Sequence, residues 1–180
     1  MSYNMNSEVR RRCGAFIGGS GFTLIELIIV VVILGIAAAM AIPMMSSASS
    51  MQVRSAAGMV AADLEYAKSM AISTGQVHAV VFDDAAESYE IQDSTGNIIA
   101  HPVRKGFNYV IDFQNDSRLD RVDIVNVDFN ANATVKFDYL GMPWDAGDVP
   151  LNNGVVTLRA GDDTWTVTVE AVTGYISASN

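Results

Sequence analysis

The sequence predicts an α+β fold, in which one long amino-terminal helix packs its second half on an antiparallel β domain. Three observations carry this expectation. An apolar stretch runs from Phe22 to Met45, interrupted only by Thr23 and Glu26. A helical stripe of small and aliphatic residues follows, and from Gln76 onward the hydrophobic period changes from 3.6 to two. Composition agrees with one modest domain plus an appendage. Of 180 residues, 50% are hydrophobic and only 17% are charged, and there is a single cysteine. Together with a mean hydropathy of +0.24, this excludes a disordered chain, a coiled-coil rod and a disulfide scaffold. With 11 Lys and Arg against 20 Asp and Glu, the net charge of −9 argues against bulk affinity for nucleic acid, which depends on cationic contacts with phosphate.

The first element is the apolar helix. Leu27 to Ile42 reads LIIVVVILGIAAAMAI, with no polar stripe of the kind a soluble core helix shows. With its flanks it reaches the ~20 residues a helix needs to cross a bilayer. Arg10, Arg11 and Arg12 precede it, and the next positive charge is Arg54. The positive-inside bias therefore predicts a cytoplasmic amino end and an exported remainder. A secretory signal peptide could use Ala39-Met40-Ala41 as its cleavage site, but its apolar region would be shorter, about 7–15 residues. A plain single-pass anchor is not excluded by hydropathy. A lipoprotein is, because Cys13 precedes the apolar run.

The opening of this helix is unusual for an anchor. Glu26 places a carboxylate in membrane-length apolar sequence, which costs about 2.5–3.5 kcal/mol at mid-helix and less toward the ends. Such a residue needs a partner. Cleavage after Gly21 would supply one, because Phe22 would then carry a free amine four residues before Glu26. Farther along, Gly35 is a soft point, and Pro43 lacks a backbone donor, so a bend is expected between them.

Beyond Pro43 the helix turns amphipathic. Val53, Ala57, Val60, Leu64, Ala67 and Ala71 fall on one face, with Arg54, Gly58, Glu65, Lys68 and Ser69 largely away from it. Met59 and Met70 read as adaptable core filling. Gly75 supplies the stop, giving one helix from about Phe22 to Thr74. Strands are expected at Val77–Phe82, Ser88–Gln92, Gly106–Phe113, Arg121–Val127, Thr134–Tyr139, Val155–Ala160, Thr164–Glu170 and Tyr175–Ala178, with longer loops at 115–117 and Trp144–Asn153. The clearest hairpin turns at Gly161-Asp162-Asp163, with Trp165, Val167 and Val169 on one face. The expected divisions are 1–21, 22–45, 46–75 and 76–180.

Gly21-Phe22-Thr23-Leu24-Ile25-Glu26-Leu27 behind a short basic leader closely resembles the class III signal of type IV pilins and type II secretion pseudopilins. The resemblance implies that residues 1–21 are a leader removed by prepilin peptidase between Gly21 and Phe22. It also implies N-methylation of Phe22, and a role for Glu26 in placing an incoming subunit against a neighbour's amine. Pro43, twenty-one residues after Phe22, matches as well. Removing the leader takes Cys13 with it and leaves 8 basic and 19 acidic residues, a net charge of −11.

In the distal half, Phe137 leads to Gly141-Met142-Pro143, and farther on comes Val172-Thr173-Gly174-Tyr175-Ile176. This arrangement is similar to the pseudopilin H and FimT-type minor pilin family. Tyr175 departs from the pattern, since many relatives carry a basic residue there, and this weakens a DNA-binding role. The resemblance implies a pilin-like fold and a non-enzymatic minor pseudopilin in the inner membrane and periplasm, assembling with major and minor pseudopilins into a filament. A minor type IV pilin is the alternative, and a membrane-tethered enzyme or binding domain the third. Glu26 argues against the tip subunit that lacks this carboxylate.

Other chemistry is sparse. His78 and His101 lack a zinc framework, and Asp112, Asp116, Asp120 and Asp123 lack EF-hand order. Gly18-Gly19-Ser20-Gly21 lacks the Lys of a phosphate loop and reads as a cleavage-site spacer. Because major pseudopilins of the superfamily hold calcium in a C-terminal loop, Asp145 and Asp148 are weak calcium candidates, with solvated loop charge the plainer expectation. No cofactor, catalytic pair or nucleic-acid partner is expected.

Overall fold

A computed structural model describes residues 22–180, excluding the side chains of 40–47. The leader with Gly21 and Cys13, and the Pro43 side chain, lie outside the described residues. The chain divides into two compact units, parting between Met40 and Ala41.

Helix α1 spans Leu24–Thr74 as one element. Thr23 starts it: its Oγ1 accepts the Glu26 amide at 3.2 Å, and its carbonyl accepts the Leu27 amide. Thr23-x-x-Glu26 therefore reads as a capping-box sequence, with an acidic side chain in the first turn where the helix dipole favours it. Gly75 stops the helix at φ 68°, a left-handed position that glycine tolerates without a Cβ penalty.

Nine strands follow: β1 (His78–Asp83), β2 (Ser88–Gln92), β3 (Val110–Asp112), β4 (Asp123–Phe129), β5 (Thr134–Phe137), β6 (Pro143–Asp145), β7 (Gly154–Ala160), β8 (Asp163–Val169) and β9 (Ile176–Ser179). They form two antiparallel sheets, ordered β3-β2-β1-β5-β6 and β4-β7-β8-β9. All six residues of the expected helical stripe are fully buried, in one cluster with residues of both sheets. Phe82 on β1 meets Phe129 on β4 at 5.8 Å between ring centroids, and the Glu87 carboxylate accepts the Ile124 amide. Arg54 on α1 sits over Trp165 on β8.

Most strands lie within two or three residues of expectation, and the differences have local causes. The strand expected at Gly106–Phe113 shortens to β3 because Gly106 turns at φ 86° and Asn108 bridges back to Ala100. The strand expected through Tyr139 ends at Phe137, where Asp138 Oδ1 accepts the Leu140 and Met142 amides and turns the chain. Strand β6 lies where a loop was expected from Trp144. It is three residues long, begins with Pro143 and occupies a sheet edge, the position that tolerates proline. The β7–β8 turn contains only Gly161 and Asp162, since Asp163 already pairs with Ala160.

Candidate functional site

Phe22 is 82% exposed, and from Leu24 to Ile36 every large apolar side chain is exposed as well. Exposure runs around the helix, so among the described residues no turn from Leu24 to Ile36 has an inward face. The Cβ position of Gly35 likewise meets nothing within 4 Å. A helix that is apolar on all sides is stable only when surrounded by lipid or by other helices. Among the described residues no helical segment is long and apolar enough to cross a membrane. The run is described with side chains only as far as Ala39. Glu26 is exposed on this helix, in the first turn after Phe22.

A second polar cluster joins α1 to the five-stranded sheet, and the sequence pattern did not reveal it. Asp63 Oδ2 accepts the Tyr89 hydroxyl at 2.6 Å, and Oδ1 accepts the Tyr109 hydroxyl at 2.8 Å. Burial raises the Asp63 carboxyl above the usual carboxylate range, partly opposed by the two tyrosines. Both phenols are pushed up, chiefly by their own burial and further by the carboxylate. Tyr109 stacks on His101 at 4.7 Å and on Tyr66 at 5.5 Å. A cavity of about 600 Å³ opens beside this cluster, between Met59, Asp63 and the segment from His101 to Arg118. His101 Nδ1 already accepts the Val103 and Arg104 amides, and Arg118 is paired with Asp116 at 2.6 Å. The cavity therefore offers no free nucleophile–base pair among the described residues. The cluster acts as a brace between helix and sheet.

The two calcium candidates, Asp145 and Asp148, are both engaged by groups of the chain itself. Asp145 is buried, its Oδ1 accepting the Gly147 and Val149 amides and its Oδ2 the Asn130 side-chain amide. These bonds, led by Asn130, hold its carboxyl below the ordinary range. Asp148 pairs with Lys136 at 2.8 Å. Among the described residues no three His, Cys, Asp or Glu side chains converge as metal ligands. His78 Nδ1 donates to the Gln76 carbonyl at 3.1 Å.

Comparisons with known proteins bear on both halves. Residues 19–42 match the prokaryotic N-terminal methylation motif, and residues 56–173 match the family described as type II transport protein GspH. The minor pseudopilin EpsH of the type 2 secretion system of Vibrio cholerae is similar in structure, with a TM-score of 0.51 at 12% identity, over 71% of this chain and 96% of that one. A second EpsH structure gives a TM-score of 0.50 at 12% identity, over 72% and 94%. The type IV minor pilin FimU of Pseudomonas aeruginosa gives 0.48 at 18% identity, over 71% and 88%. No curated protein sequence matches the chain. The EpsH structures share its pilin-like fold of a long helix on antiparallel sheets, and the family match covers the helix stripe from Ala57, the brace and strands β1 to β8. The chain is a member of the GspH family, carrying the N-terminal methylation motif of pilin-like proteins.

Proposed function

We propose that the chain is a minor pseudopilin, a non-enzymatic subunit of the periplasmic pseudopilus of a type II secretion system. The observation that carries this is the apolar helix from Phe22 onward, exposed on every side while the remainder of α1 is built into a complete β domain. One half of the helix needs other helices or lipid; the other half needs only its own sheets. The match to the family described as type II transport protein GspH supports this reading.

In this reading prepilin peptidase cuts between Gly21 and Phe22, Phe22 is N-methylated, and the helix holds the chain in the inner membrane with its amino end cytoplasmic. A bend at Gly35 and Pro43 lets the apolar half adjust as it enters the filament. The exposed Glu26 then meets the amine of an adjacent subunit, an ion pair that neutralises a carboxylate otherwise costly among apolar helices. Nucleic acid has no part in this, because the processed chain carries a net charge of −11.

Crosslinking in cells tests the assignment. Products joining residues 22–39 to other pseudopilins are expected, and products confined to type IV pilus subunits would replace this reading with a minor pilin.

A further inference from the structure

Far along the chain from the motif, three segments meet at the carboxy-terminal end of α1. A Cβ on Gly141 would lie 3.0 Å from Ile72 Cδ1, and one on Gly174 would lie 2.5 Å from the Gly141 carbonyl oxygen. Lys68 Nζ donates to the Gly174 carbonyl at 2.9 Å and to Glu65 at 2.8 Å, tying the helix to the loop before β9. Five large exposed apolar residues flank these contacts in sequence. Ile72 is 51% exposed, Tyr139 59%, Leu140 65%, Val172 68% and Tyr175 58%. They leave on the order of 500 Å² of apolar surface in water, at the upper end of what monomers expose in one patch. A standard interface covers about 800 Å² per partner, so this patch plus a polar rim is enough.

Val172 sets the patch apart from incidental exposure. It is held at φ 67°, a left-handed conformation that is an outlier for a β-branched residue. Its loop is fixed by bonds from the Gly174 amide to the Glu170 carbonyl and from the Glu170 amide to the Tyr175 carbonyl. An apolar side chain is thus aimed at solvent from a locked backbone, which lowers the ordering cost on binding.

The rim identifies the partner. Glu65 and Glu170 are exposed and Asp138 half-buried, while the Lys68 ammonium is already engaged by Glu65. The border is net negative, so a second copy docking isologously, an anionic bilayer and nucleic acid are all repelled. We infer that the Ile72–Leu140–Val172–Tyr175 face docks a different subunit of the filament, through an apolar surface bordered by Lys or Arg. The partner class rests on the pseudopilin reading; the patch itself does not.

The test uses the full chain in its own cells, with a photoreactive phenylalanine analogue replacing Val172 or Tyr175, and, as controls, Phe107 or Ile29. The expected product at Val172 or Tyr175 is a heterodimer with another pilin-like subunit, whose crosslinked peptide contains Lys or Arg. Glu170→Lys should lower its yield at least fivefold, and reversing that partner charge should restore it. A homodimer, a lipid or DNA adduct, no product from either position, or equal yield of the same product at Phe107 overturns the inference. Products at Ile29 with pilin-like subunits, but none at Val172 or Tyr175, would remove the patch and keep the filament. No pilin-like product at Ile29 would remove the filament reading itself.

Discussion

Replacing Asp63 with alanine removes the acceptor of two phenolic hydroxyls that reach it from 26 and 46 residues away. Hydrogen bonds to a charged acceptor contribute about 1.5–3 kcal/mol each. The two losses are unequal. The Tyr89 hydroxyl belongs to a residue only 1% exposed and has no route to water, so it bears a desolvation penalty of about 1–3 kcal/mol. Tyr109 lines the cavity and can be rehydrated there. Against these losses stands relief of the cost that burial imposes on the carboxylate, the same cost that raises its pKa. The balance is a destabilisation of about 2–4 kcal/mol for Asp63→Ala. Asp63→Asn keeps one acceptor and removes the charge, so about 1 kcal/mol is expected.

Urea unfolding of residues 48–180, followed by far-UV circular dichroism, measures both, and Asp63→Ala should lower the midpoint by roughly 1–2 M. The pH dependence has a definite sign. Because the folded pKa of Asp63 lies above its value of 3.8 in the unfolded chain, this group contributes stability that is present below pH 3.8 and lost as pH rises through the folded pKa. The advantage of wild type over Asp63→Asn should therefore grow on acidification from neutral pH. An Asp63→Ala variant within 0.5 kcal/mol of wild type, or an advantage over Asn that shrinks with acid, would refute the brace.

Three further outcomes are expected. Glu26→Ala should leave the β domain folded, with an unchanged urea midpoint, but reduce incorporation into filaments at least tenfold; incorporation at wild-type level would remove the role given to this carboxylate. Gly154→Ala places a methyl 2.7 Å from Leu151 Cδ2 and 2.8 Å from the Val169 carbonyl, and should cost about 2–3 kcal/mol in the same unfolding assay. Asp112, Asp116 and Asp145 all titrate below the ordinary range, Asp116 at about 2 through its bonds from Arg118. Their contribution is present above pH 3.8 and lost as pH falls through the folded values, so stability should fall steeply between about pH 4 and pH 2. Carboxyl chemical shifts of Asp116 followed by NMR would show its titration directly.

The sequence made local, periodic features legible and left non-local ones hidden. Six stripe positions from Val53 to Ala71 follow from period 3.6 alone, and every one is buried. The β7–β8 hairpin is readable because Gly161 punctuates two alternating runs. Thr23-x-x-Glu26 also carries its capping signal openly. Strand β6 has three residues and a proline, too short for any period to show. Asp63 sits four positions before the buried Ala67 and beside Leu64, which marks it as near the core but names no partner. Tyr89 reaches it from β2, and Tyr109 from just before β3, held by backbone bonds to Ile91 and Ile99, an arrangement that no local pattern encodes. The exposed patch at Val172 arises the same way, from three distant segments closing around two glycines.

Processing of the helix for assembly with other helices is tested most directly by the amino terminus of the membrane-extracted protein. Intact-mass and amino-terminal peptide analysis should find a chain that begins at Phe22 and carries one methyl group on its amine. A chain still bearing residues 1–21, or one cut after Ala41 by a secretory peptidase, would contradict it.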